Sequence, residues 1–142
     1  MSGTWEFKPY RCVGPLKFGM TVDQVKAILG APVSSKIANG NITEVRENMK
    51  LVYDAPKGKL YCINLRAPTP IAFGGSLLFK EKDPIAFLSK LDKETKEGGG
   101  YVNFMGLGLL AGGFGKRRIP EGKLLMAYSK AKLKVYTYFT EV

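Results

Sequence analysis

Val22, Val25, Ile28 and Leu29 recur at helical spacing in the stretch VDQVKAIL, with polar or charged residues between them. Apolar residues three and four apart share one side of a helix, so this spacing predicts an amphipathic helix. Its ends are written in side-chain chemistry. Thr21 and Gln24 stand three apart, as a capping box requires, and Met20 with Val25 can close a hydrophobic staple. Gly30 can take the left-handed conformation that ends a helix, and Pro32 prevents continuation. A helix of about ten residues is too short to persist alone, so its apolar stripe must lie on a sheet.

Strand patterns follow. The runs ITEVRE (42–47), MKLVYDA (49–55) and KLYCINLR (59–66) alternate or run apolar at strand length. PKGK (56–59) supplies hairpin-turn residues between the last two. APTPIAFGG breaks the pattern with prolines and glycines and reads as a crossing segment with a short edge strand.

The order then repeats. In KDPIAFLSKLDKETKEGGG, Asp83 is placed as the N-cap and Pro84 as the first helical residue. Ile85, Leu88 and Leu91 share one face, and the three glycines are expected to terminate the helix. YVNFMGLGLL (101–110), KLLMAYSK (123–130) and LKVYTYF (133–139) read as strands, with SKAK (129–132) as the last turn. The expectation is an α+β fold: an antiparallel β-sheet with two packed helices. Residues 1–142 form a single domain, open to division into two tandem helix–antiparallel-sheet units as pseudo-repeats over 14–68 and 69–142. Val25, Ile28, Leu29, Ile85, Leu88 and Leu91 are expected in the core.

Charge adds a functional constraint. The chain of 142 residues has 22 Lys/Arg against 12 Asp/Glu, a formal charge of +10. Such a surface favours an acidic partner, whether protein, nucleic acid or anionic lipid, and is silent about fold. No run reaches the roughly 18 apolar residues of a membrane span. MSGTWEFKPYRC has charged residues where a signal peptide needs an apolar stretch. Cys12 and Cys62 lack metal-site spacing; one disulfide is arithmetically open, and two reduced thiols fit a chain without an export signal. The expected location is cytoplasmic, with no membrane association.

Candidate chemistry is sparse. The sequence contains no histidine, which removes the Ser-His-Asp and Cys-His arrangements and the commonest metal ligand. Asp23 and Asp83 fit favourable contacts with helix N-termini. GLGLLA (106–111) matches a dinucleotide fingerprint in letters, but Gly112, Gly113 and Gly115 would break the helix it must open. GGFGKRR (112–118) lacks the spacing and the Ser/Thr of a phosphate loop. It leaves Phe114 beside Lys116, Arg117 and Arg118. That grouping suits either a solvated turn or a contact surface with an aromatic anchor. Tyr128, Tyr136, Tyr138 and Phe139 could stack on nucleic-acid bases among lysines, or could simply fill a half-buried sheet face. No enzymatic activity, cofactor or metal is expected.

The stretch FGMTVDQVKAILGAP resembles a helix motif shared by a group of bacterial proteins. Gly19, Met20, Thr21, Val25, Leu29, Gly30 and Pro32 carry the match. The group comprises the small lipoprotein of the outer-membrane β-barrel assembly machinery, the β-lactamase inhibitory proteins and many small immunity-type proteins. The tandem order of helix and antiparallel strands is similar to that of the inhibitory proteins. The lipoprotein role needs an export signal and a lipidated cysteine, whereas EFKPYR precedes Cys12. The secreted-inhibitor role lacks its signal and disulfide pattern. The resemblance then implies a scaffold role for the motif residues and a non-catalytic immunity protein that binds and inhibits a cognate bacterial toxin. The basic charge implies an acidic contact surface on that toxin. Phe114, Lys116, Arg117, Arg118 and Tyr128 are the candidate contact residues. A small basic nucleic-acid-binding protein is the alternative.

Overall fold

The computed structural model describes residues 4–55, 57–114 and 123–139. The N-terminal segment forms three short strands, β1 (Trp5–Lys8), β2 (Cys12–Val13) and β3 (Leu16–Lys17), which the sequence pattern did not announce. Helix α1 (Val22–Leu29) follows, then β4 (Ser34–Ala38), β5 (Asn41–Arg46), β6 (Met49–Asp54) and β7 (Lys59–Arg66). A crossing segment contains β8 (Ile71–Phe73) and β9 (Ser76–Leu77), then a 3₁₀ turn at Leu78–Lys80. Helix α2 (Pro84–Leu91) precedes β10 (Thr95–Gly98), β11 (Tyr101–Phe104), β12 (Leu109–Gly112) and β13 (Leu124–Tyr128). Helix α3 (Leu133–Phe139) comes last.

The architecture is α+β. One eight-stranded sheet has the order β10-β11-β12-β13-β7-β6-β5-β4, antiparallel throughout. Each half is a helix followed by a four-strand meander, and the halves join where β13 pairs β7, with Leu125 opposite Leu65 and Ala127 opposite Ile63. A smaller sheet, β3-β2-β1-β8-β9, contains one parallel pair, Trp5 opposite Ile71. Among the described residues no helix is long and apolar enough to cross a membrane.

The α1 cap forms as its residues require. The Gln24 N–H donates to Thr21 Oγ1 at 3.2 Å, and the Thr21 N–H donates to Gln24 Oε1 at 2.9 Å. Gly30 ends the helix at φ +80 and ψ −169, a glycine conformation other than the left-handed helical one expected, and donates its N–H to the Lys26 carbonyl at 2.8 Å. The residues before the helix are tied to β7: Gly19 N–H reaches Leu60 O, and Leu60 N–H reaches Met20 O, both at 2.8 Å. Val25 is thereby buried in the core that also holds Leu51, Tyr53, Leu60, Ile63 and Leu65. Burying a side chain of this kind contributes about 1.5–3 kcal/mol. At α2, Asp83 accepts the Ala86 N–H at 3.1 Å and Pro84 opens the helix, placing Leu88 in the same core.

Several expectations need correction. Ile28 is 42% exposed and Leu91 49% exposed, so neither is core, while Leu29 and Ile85 are partly buried against it. Both helices span only eight residues, which leaves each a narrow buried stripe centred on one side chain, Val25 or Leu88. The three glycines do not end α2. Gly98 closes β10, and Gly99 and Gly100, with φ +62 and +91, make the turn into β11. The run 101–110 is two strands, split by a turn in which Gly108 has φ +68. GLGLLA therefore opens a hairpin strand rather than a helix. Residues 129–132 form a 3₁₀ turn in Lys130–Lys132, and LKVYTYF is a helix, not a strand. A third helix thus joins the two expected.

Candidate partner-binding surface

Phe114 follows the end of β12 at Gly112 by two residues, and Lys123 immediately precedes β13. Lys116, Arg117 and Arg118 lie outside the described residues. Phe114 is half-buried and stacks on Phe79 from the 3₁₀ turn, with ring centroids 6.0 Å apart and planes 22° apart. The two rings border a cleft of about 550 Å³ that also has Glu81, Lys82, Asp83, Pro84 and Lys123 on its walls. Its carboxylates are engaged within the chain. Glu81 accepts the Ser76 hydroxyl, and Asp83 caps α2. Lys82 and Lys123 are exposed and form no ion pair among the described residues. The walls thus carry two lysines and two hydrogen-bonded carboxylates beside an apolar aromatic pair.

Tyr128 occupies a different place from the one expected of a contact residue. It is 0% exposed, because its β13 position faces α3. Its hydroxyl donates to Asn103 Oδ1 at 2.6 Å, and its ring stacks on Tyr136 at 4.7 Å with 25° between planes. Tyr10 meets it edge-on at 6.0 Å. Tyr128 is thus enclosed and cannot serve as an open anchor in this conformation. Lys130 Nζ lies 4.6 Å from the Tyr10 ring centre and Lys132 Nζ 4.6 Å from that of Tyr61. These lysines occupy ring faces that a base would need.

Burial governs the electrostatics of this tyrosine layer. It raises Tyr10, Tyr61, Tyr128 and Tyr136 above the usual phenol value, with neighbouring acidic groups adding to the shift. Cys62, opposite Tyr128 in the sheet, is pushed up to about 12 by its burial, against a lowering hydrogen bond with Tyr136. At neutral pH it is a thiol rather than a nucleophilic thiolate. Both cysteines are buried and free. No three Cys, Asp or Glu side chains converge as a metal site among the described residues.

The sequence named Phe114 as a contact residue without a cleft, and missed Phe79, Lys82 and Lys123, which the fold brings beside it. The charge density of KEKDP (80–84) is the sequence signal that could have pointed to that wall. No protein-family model matches the chain, and no curated protein or solved structure matches it significantly.

Proposed function

We propose that this chain is a non-catalytic immunity protein that binds a cognate bacterial toxin and inhibits it, using a basic surface against an acidic one. The observation that carries this reading is the cleft at Phe79 and Phe114. It combines an aromatic pair with Lys82 and Lys123, neither in an ion pair among the described residues, alongside Glu81 and Asp83, in a chain of net charge +10. Complementary charge speeds encounter, and a partly desolvated aromatic pair supplies the anchor on which interface energy concentrates. The resemblance of the α1 motif to inhibitor and immunity scaffolds supports the same reading. In it, α1 holds the sheet and takes no part in contact.

The nucleic-acid alternative draws on the +10 charge and on the tyrosines as stacking surfaces. Its stacking platform is weakened by the pairing of Tyr128 with Tyr136 and by the lysines over Tyr10 and Tyr61. Gel-shift titration at two salt concentrations separates the readings, because phosphate contacts release counterions and weaken steeply with salt. Co-purification of the tagged chain from its native host, followed by growth rescue in cells expressing the captured protein, tests the immunity role. Rescue by the wild type is expected. A captured protein whose toxicity the chain does not relieve would remove the proposal.

A further inference from the structure

β4 is an outer strand of the large sheet, and all five of its residues are exposed. The parity of its backbone follows from the turn into β5. Asn39 and Gly40 both have positive φ, +52 and +75, the form of a two-residue hairpin whose closing pair exchanges both hydrogen bonds. That pair is Ala38 and Asn41, so alternation turns Lys36 and Ser34 toward β5 as well. The N–H and C=O groups of Ser35 and Ile37 consequently face outward, away from the sheet. Ile37 is 73% exposed and Val33, one residue before the strand, is 80% exposed; Ile28 of α1 is a further exposed apolar side chain. The opposite outer strand, β10, reads Thr95-Lys96-Glu97-Gly98 and offers no such apolar group.

We propose that β4 accepts a ninth strand: an extended segment of a protein partner with an acidic residue between two apolar ones. The proposal rests on the reading of an acidic protein partner given above. An antiparallel strand bonded to Ser35 and Ile37 sets its central residue opposite Lys36 in a non-hydrogen-bonded pair. There the Cα atoms approach to about 4.5 Å and the side chains come closest. Asp or Glu at that point makes a cross-strand ion pair, while the flanking apolar side chains lie on the Ile37 face of the sheet. A second copy of this chain fails the same geometry. The twofold register that bonds Ser35 of each copy to Ile37 of the other puts Lys36 directly opposite Lys36. Like charges so placed are destabilising, and each copy already carries +10. Lys36 therefore acts as a filter on an otherwise open edge, against self-pairing and for an acidic strand.

The test uses the full chain, isotope-labelled for NMR, and two blocked peptides, Thr-Val-Glu-Val-Thr and Thr-Val-Lys-Val-Thr. The Glu-centred peptide should shift the Ser35 and Ile37 amides and slow their exchange. It should bind roughly threefold to tenfold tighter than the Lys-centred one. Lys36→Glu, a change at an exposed position, should reverse that order. The proposal is overturned by unaffected Ser35 and Ile37 amides, by equal binding of both peptides, or by an order that Lys36→Glu leaves unchanged. Sedimentation showing a dimer that Ile37→Lys abolishes would also overturn it, in favour of the second copy. Peptide binding at β4 in a chain that relieves no toxin would remove the immunity reading and leave the edge site standing; the reverse pattern would do the opposite.

Discussion

Arg46 Nη1 donates to the carbonyl of Gly30 at 2.9 Å, binding the end of α1 to β5. The guanidinium is fixed from behind by Glu44, whose Oε1 lies 3.2 Å from Nη2 and also accepts the Tyr53 hydroxyl at 2.8 Å. Glu44 is 1% exposed. Its charge is tolerated there because both partners are in place. Glu44→Ala would leave Arg46 buried without its counter-charge, and a loss of about 3–5 kcal/mol is expected in urea unfolding. A loss below 1 kcal/mol would show that water already replaces the pair.

Asp92 closes the turn between β11 and β12 in a comparable way. Its carboxylate accepts N–H groups from Glu94 at 2.9 Å, Gly106 at 2.7 Å and Leu107 at 3.1 Å. A Cβ at Gly106 would meet Asp92 Oδ1 at 2.7 Å, and one at Gly108 would clash with the Tyr10 ring. Asp92→Ala should cost at least about 2 kcal/mol by stranding buried donors. Gly108→Ala should also destabilise, through both the clash and its positive φ. Thermal unfolding of the two variants measures each; a wild-type midpoint in either would contradict that contact.

Val25 and Ile28 lie three residues apart on the same short helix yet differ in burial, 0% against 42%. Val25→Asp places an unpaired charge in the core and should cost several kcal/mol, whereas Ile28→Asp should change stability by less than about 1 kcal/mol. Equal losses in denaturant titration would mean that α1 is rotated from the orientation described.

Stability should fall at alkaline pH. Burial raises Tyr53, Tyr128 and Tyr136 above the ordinary value of 10, and Cys62 from 9.0 to about 12. The unfolded chain releases these protons first. The stabilisation is therefore fully present below about pH 9 and is lost as the pH rises through the folded-state values. The urea midpoint should decline above pH 9, and less steeply above pH 10 in Tyr53→Phe. Cys62 should resist disulfide reagents at pH 8 until urea is added; prompt reaction in the native state would refute its burial.

What the sequence disclosed depended on how many independent signals each element carried. α1 was marked by Thr21, Gln24, Gly30 and Pro32 together with a 3.6-residue apolar period, and its N-terminal capping box formed as read. Lys59–Arg66 was bounded on one side by turn residues and matched to the residue. LKVYTYF carried one ambiguous signal. Over seven residues its alternation of β-forming side chains fits a strand, but Leu133, Tyr136 and Thr137 also recur at helical spacing. The stacking of Tyr136 on Tyr128 belongs to the helical solution. The two-residue strands at Cys12–Val13 and Leu16–Lys17 were too short for any period to appear. Gly74 and Gly75 mark the reversal before Phe79, but no local pattern encodes its meeting with Phe114, 35 residues on.

Charge reversal at the proposed contact surface should act mainly on association. Lys82→Glu with Lys123→Glu, both exposed, should slow binding to the captured partner by roughly tenfold or more at low salt and leave thermal stability unchanged. Arg117→Glu with Arg118→Glu, outside the described residues, should add to this. Stopped-flow binding at two salt concentrations gives the answer. Unchanged rates in both double variants would place the contact surface elsewhere.

The immunity role itself is tested most directly by titrating the activity of the co-purified partner with the purified chain. Inhibition should be complete at one equivalent, should weaken as salt increases, and should be lost at that ratio in the Lys82→Glu, Lys123→Glu variant carrying Phe114→Ala. Full partner activity in the presence of saturating, correctly folded chain would contradict the assignment.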